Sequence, residues 1–229
     1  MTSPAHPKTT PKPTAQLTLT EFLSLDGVSQ APGGPTEDTT GGFRHGGWVI
    51  PLFDDQLGAK IGEAFAQASG FLLGRRTYDI FASHWPKVTD PADFVATQLN
   101  ALPKFVASRS KTEFDWKHTT AIRDVVKEVT ALKSTFPGEI QVHGSSDLAQ
   151  TLIAHDLIDE YRLIIFPVIL GSGRRLFNQK PLPATLALES STTTSKGVQF
   201  NVYRRAGALE TGNVILKNDG TYTMEVPTH

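Results

Sequence analysis

Glu139-Ile-Gln-Val-His143, then Gly144-Ser145-Ser146-Asp147-Leu148, then a helix-like run to Ala154: here a short apolar strand breaks at glycine and restarts as a helix. Such a turn leaves unpaired backbone N–H groups at a helix N-terminus, with the positive end of the helix dipole behind them, and suits a phosphate. Outward from this stretch the plan recurs twice. Phe71-Leu-Leu-Gly-Arg-Arg-Thr-Tyr78 and Lys104-Phe-Val-Ala-Ser-Arg109 each end an apolar strand in Gly or Ser and then present Arg. Taken singly, each is an ordinary β-to-α turn, where Gly, Ser and Thr serve turn and capping needs. Three together favour a ligand with several phosphates.

The rest of the chain falls around these turns. Leu17–Leu25 alternates apolar and polar residues and reads as a strand. Asp26–Pro51 is a long segment rich in Gly and Pro, whose Phe43 and Trp48 favour packing or ligand contact over disorder. A helix is predicted from Asp54-Asp55 through Ala68, and others over Thr77–His84, Asp93–Leu102 and the stripe Val125, Val126, Val129, Leu132. Short strands are predicted at Phe71–Leu73, Phe105–Ala107 and Ile140–His143, and a central strand over Glu160–Leu170 with a bend at Pro167. Leu186–Thr193 and Val198–Arg204 read as late strands, and Asn218-Asp219-Gly220 as a hairpin turn. Strand–helix alternation followed by antiparallel strands gives an α/β layered domain: a mixed, mainly parallel sheet flanked by helices, with an antiparallel C-terminal edge. The expected organisation is a disordered tail over 1–16 (Pro4, Pro7, Pro11 and Pro13), a domain over 17–204, and an extension over 205–229.

Composition excludes several classes. With 39% hydrophobic residues and a formal net charge of -1 over 229 residues, one ordinary globular domain is the default and no basic face suits nucleic acid. The absence of cysteine rules out disulfides, thiol catalysis and cysteine-bound zinc. Seven dispersed histidines predict no metal site. No apolar run approaches a membrane span and no signal peptide is legible, so a cytoplasmic protein with no membrane partner is expected.

Asp26 closes the first strand in Ser24-Leu25-Asp26-Gly27, where strand ends line a ligand crevice; a plain turn role before Gly27 carries nearly equal weight. Gly74, Arg75 and Thr77 set a close backbone approach, a guanidinium and a hydroxyl against phosphate, and Ser108 with Arg109 offers another hydroxyl and fork. Gly171 and Gly173 form a flexible turn that admits a cofactor, although such a turn is more often only tight. Trp48 and Trp85 are wall residues or, in the sharper reading, platforms for a planar substrate.

The ordered set Ser24-Leu25-Asp26-Gly27, Leu73-Gly74-Arg75-Arg76-Thr77-Tyr78, Val106-Ala107-Ser108-Arg109, His143–Leu148, and Asp159-Glu160 before Phe166–Gly171 resembles the dihydrofolate reductase-like proteins related to the reductase domain of the bifunctional riboflavin-biosynthesis deaminase/reductase. The resemblance spans about 17–204. It implies NADPH as hydride donor and a small pteridine-, pyrimidine- or flavin-like substrate. Arg75 and Thr77 are then expected at the cofactor phosphates, Ser108 and Arg109 at the adenosine 2′-phosphate, Gly144, Ser145 and Ser146 over the pyrophosphate, and Asp26 at the substrate as the catalytic residue, holding a ring N–H or amino group or, if burial raises its pKa, relaying a proton. The deaminase's zinc motif is absent, and the segment Pro32–Gly47 is unlike the folate and riboflavin enzymes. A homodimer is also expected. The alternative is a nucleotide-binding or ligand-sensing module of the same fold without catalysis.

Overall fold

In the computed structural model, which describes residues 14–177 and 183–226, eight strands form one sheet. These are β1 (Gln16–Ser24), β2 (Ala68–Gly74), β3 (Lys104–Ala107), β4 (Thr119–Ile122), β5 (Glu139–His143), β6 (Glu160–Phe166), β7 (Thr185–Thr193) and β8 (Gln199–Gly207). Their order is β4-β3-β2-β5-β1-β6-β8-β7. The pairs from β4 to β6 are parallel, whereas β8 runs antiparallel to β6 and β7 antiparallel to β8. The sheet is therefore mixed and mostly parallel, with an antiparallel edge.

Five helices cover it: α1 (Asp55–Phe65), α2 (Arg75–His84), α3 (Phe94–Ala101), α4 (Val125–Thr135) and α5 (Ser146–Ala154). Because strand side chains alternate between faces, Leu17, Leu19 and Leu23 of β1 pack with Leu72, Val142, Val129 of α4 and Leu148 and Leu152 of α5. On the other face Phe71, Leu73 and Val106 meet Phe65, Tyr78 and Leu99 of α1, α2 and α3. Beneath α1 the sheet carries a buried polar layer. Arg162 binds Glu139 and Glu160 at 2.8 Å each, and His143 stacks on Phe65 at 4.5 Å. Burial, reinforced by the Arg162 charge, lowers the His143 pKa to about 3, so this ring is neutral.

Several elements depart from the sequence reading. α1 ends at Phe65, and Ala68, expected on that helix, instead opens β2, three residues before the expected Phe71. β4 was not expected: Thr119-Thr-Ala-Ile122 is short, half polar and paired only to β3. β6 stops at Phe166 rather than Leu170, because Pro167 has no N–H for the ladder and Val168 N–H turns back to the Phe166 carbonyl (2.8 Å). β8 runs on to Gly207, three residues past the expected boundary. Most of the expected tail lies outside the described residues. Within it Ala15 is buried and Gln16 already pairs with Glu139. The hairpin forms as read, from β9 (Asn213–Leu216) and β10 (Tyr222–Glu225), as a two-stranded sheet of its own. Among the described residues no helix is long and apolar enough to cross a membrane.

Candidate cofactor site

Parallel strands deliver their C-terminal ends to one edge of the sheet. Along that edge stand Arg123 after β4, Ser108-Arg109 after β3, Gly74 at the end of β2, Gly144-Ser145 after β5, Asp26 after β1 and the 167–171 segment after β6. Neighbouring strands lie about 4.8 Å apart, so the row forms a continuous track.

Its centre is the contact between the starts of α2 and α5. Gly144 and Ser145 are both left-handed, with φ of +56° and +67°. That backbone costs a serine roughly 1–2 kcal/mol, offset in part by the bonds it permits. Ser145 Oγ accepts from Gly74 N–H (2.8 Å) and donates to Thr77 Oγ1 (2.7 Å), stitching the two helix starts together. The approach is close enough that a Cβ on Gly74 would stand 2.9 Å from Ser145 Cβ and Oγ. Neither helix has a side-chain cap. Their first N–H groups have no acceptor within the helix, and both dipoles present positive ends to the same place. This geometry fits a polyanion.

The flanking predictions fare unevenly. Arg75 folds onto its own helix and binds Asp79 at 2.8 Å, away from a phosphate pose. Ser108 is buried and its Oγ accepts from Lys111 N–H (3.0 Å), while Arg109 is exposed. Arg123, which the sequence reading missed along with β4, donates to the Arg109 carbonyl and puts a second guanidinium beside it. Trp85 sits at the far end of α2, about 15 Å along the helix from Gly74, packed edge-on to Phe81 and His84. It is therefore removed from the site. Trp48 is 8% exposed, donates Nε1–H to the Gln30 carbonyl (2.9 Å) and packs edge-on to Phe166. It is core, not a platform free to close.

Asp26 and the 171–175 turn act together as a clasp. Asp26 Oδ1 accepts from Ser24 Oγ–H (2.7 Å) and Leu170 N–H (3.1 Å), and Oδ2 accepts from Gly171 N–H (2.9 Å) and Arg175 (3.2 Å). Desolvation raises its pKa, but the Ser24, Leu170 and Gly171 bonds outweigh it and hold the carboxyl at about 2. An ionised carboxylate with both oxygens engaged is an anchor and has no proton to relay at neutral pH. Gly173 has φ of +114°, and a Cβ there would stand 2.7 Å from Val28. Its glycine thus serves loop docking rather than cofactor approach, and Gly171 serves Asp26. A hollow of about 310 Å³ between the long segment and this turn is lined by Gln30, Phe43, Gly173 and Arg174, not by Gly74 or Ser145. Arg174 there is committed to Asp38 and Thr40. The uncapped helix starts, rather than this hollow, are therefore the candidate anion site.

The buried carboxyl in the region is Glu21, 3% exposed, with Oε2 unpartnered. Burial raises its pKa to about 8, against a lowering by the Ser29 hydroxyl. The sequence held its signal: Glu21 occupies the inward phase of Leu17, Leu19 and Leu23.

The sequence matches the model of a known family, the RibD C-terminal domain, over residues 15–200. The chain belongs to that family. The uncharacterized protein YyaP of Bacillus subtilis (strain 168) is 32% identical over 187 residues, 81% of this chain and 92% of its own. A putative riboflavin biosynthesis protein from Shewanella sp. PV-4 superposes with a TM-score of 0.63 at 20% identity, over 83% of this chain and 99% of its own. Dihydrofolate reductase from Enterococcus faecalis, solved in complex with NADP(H), gives 0.55 at 14% identity, over 84% and 98%. These likenesses are of fold.

Proposed function

We propose that this protein binds NADPH across the α2 and α5 starts and reduces a small heterocycle of the pteridine, pyrimidine or flavin type. The observation that carries the reading is the stitched, uncapped pair of helix starts, Gly74–Thr77 and Gly144–Ser146. Family membership and the NADP(H)-bound reductase of like fold support it.

In this reading the N–H groups opening α2 and α5 hold the pyrophosphate, with Gly74 allowing the backbone to come close and Ser145 fixing both turns. Arg109 and Arg123, at neighbouring strand ends, take the adenosine 2′-phosphate that distinguishes NADPH from NADH. NADPH, when bound, supplies the hydride. The chain's part is to hold the reacting partners in near contact and keep the sheet edge rigid. Asp26 contributes by clasping the segment after β1 to the turn after β6.

A second reading, nucleotide binding without catalysis, draws on the full engagement of Asp26. One experiment separates the two. NADPH and NADH are titrated by calorimetry, and NADPH consumption is followed with a panel of pteridines, aminopyrimidines and flavins. Tight NADPH binding with turnover supports the reductase, tight binding without turnover supports the binding module, and equal affinity for both nucleotides contradicts the 2′-phosphate assignment.

A further inference from the structure

Glu21 has no part in the site as described, yet it lies directly behind it. The preceding residue, Thr20, accepts from Gly144 N–H through its carbonyl (3.3 Å), so Glu21 sits where β1 passes the α5 start. The polar side chain beside it is Ser29, whose Oγ lies 3.3 Å from Ser146 Oγ on the first residue of α5. A line of groups therefore runs from a buried carboxyl through two hydroxyls to an uncapped helix N-terminus. The carboxyl's second oxygen is buried and unpartnered, so no hydrogen bond holds that oxygen in its charged form.

Among the described residues no cation pairs with Glu21. From the long segment the charge acting on it is another acid, Glu37. Arg174 and Arg175 of the 171–175 turn are bound to Asp38 and Asp26. Asp147 in the first turn of α5 is exposed, and across β6 the neighbour is Leu163. His143, Glu160 and Arg162 fall on the opposite face of the sheet by strand alternation.

We propose that Glu21 is a positioning residue whose proton sets the direction of the Ser29–Ser146 hydroxyl pair, so that the α5 start binds an anionic cofactor phosphate only while Glu21 is a neutral acid. As an acid it donates to Ser29, Ser29 donates to Ser146, and the Ser146 proton points outward to the anion. As a carboxylate it accepts from Ser29 and reverses both hydroxyls, leaving a buried negative charge behind the phosphate. Phosphate binding and Glu21 protonation are thus coupled, and each favours the other. The inference rests on the cofactor reading above.

The test is NADPH binding by calorimetry from about pH 7.5 to 9.5, a range in which the probe's own phosphates stay ionised. With the acid titrating at about 8, wild-type affinity should fall roughly 20-fold across that range, and binding near the upper end should take up a proton, read as a dependence of the heat on buffer ionisation. Glu21→Gln, a permanently neutral donor, should bind with no pH dependence over the range and no proton uptake. Ser29→Ala should weaken binding at pH 7.5 and shrink the pH effect. Lys104 also titrates near 8, but it opens β3 at the other end of the strands. An unchanged pH fall in Glu21→Gln would assign the effect to such a group and overturn the inference. So would flat wild-type affinity or zero proton uptake, each with NADPH binding intact. No NADPH binding by the wild type at pH 7.5 would instead overturn the cofactor reading, and the inference with it.

Discussion

Helices α1, α3 and α4 begin differently from α2 and α5. Asp54, Asp93 and Asp124 each cap their helix by accepting the N–H of Leu57, Ala96 and Lys127, at 2.8, 2.9 and 3.1 Å. α2 and α5 begin on Gly74 and Ser145 with no side chain in that role. Ser145 is a residue type that ordinarily caps well, but its left-handed backbone turns the hydroxyl to Thr77 and Gly74 instead. The two uncapped helices are those that follow the neighbouring strands β2 and β5. The same chain meets the ordinary need for a cap with aspartate three times. An acid at Gly74 or Ser145 would both fill and repel a phosphate site, so under the proposed function the exceptions are where donors are kept free for the ligand.

Breaking the exceptional pair should have the largest effect. Gly74→Ala places a Cβ 2.9 Å from Ser145, so the α5 turn must move. With two or more charge-assisted bonds lost at about 1.5–3 kcal/mol each, NADPH affinity should drop on the order of 100-fold by calorimetry. Circular dichroism should still report the folded helix content. Next, Arg109→Ala asks how far the ligand extends beyond the pair. One charged contact is worth about 1.5–3 kcal/mol, so the preference for NADPH over NADH should narrow about tenfold or more while NADH affinity holds.

Asp26→Asn tests whether the clasp is separate from the ligand. Asp26 titrates at about 2, below an unfolded carboxylate. Its stabilisation is therefore present above the unfolded pKa near 4 and is lost as pH falls through about 2. Discounted for its partial exposure, that is about 1 kcal/mol, or roughly 2–4 °C in Tm. Melting between pH 2 and 7 should show a lower Tm for the variant at neutral pH and a gap that closes in acid, with NADPH affinity unchanged. Lost affinity would move Asp26 into the binding site. The smallest effects belong to the ordinary caps. Asp93→Ala and Asp124→Ala should each cost about 1 kcal/mol in denaturant unfolding and leave NADPH binding alone.

The two helix starts are legible in sequence because glycine and serine at a strand-to-helix break carry local meaning; that Gly74, Thr77 and Ser145 touch is visible only in the fold. What escaped was set by tertiary context. β4 is four residues held by one neighbour, and Arg123 went unseen with it. Trp85 follows the C-terminal end of α2, as the predicted helix over Thr77–His84 already implies, and so lies a helix length from Gly74. The apolar run through Leu170 concealed the strand end that Pro167 enforces. Asp26 looked catalytic because its partners Leu170, Gly171 and Arg175 come from about 145 residues away. Glu21 was concealed in the opposite sense, since one acid in an alternating strand reads as an outward residue until its phase is compared with Leu17, Leu19 and Leu23.

Amide hydrogen exchange with and without NADPH reads the comparison itself. The account predicts that NADPH slows exchange at the α2 and α5 starts, over 74–78 and 145–149, and leaves the aspartate-capped starts at 55–58, 94–97 and 125–128 unchanged. Protection spread equally over all five helix starts, or NADPH binding that leaves the α2 and α5 starts unprotected, would contradict it.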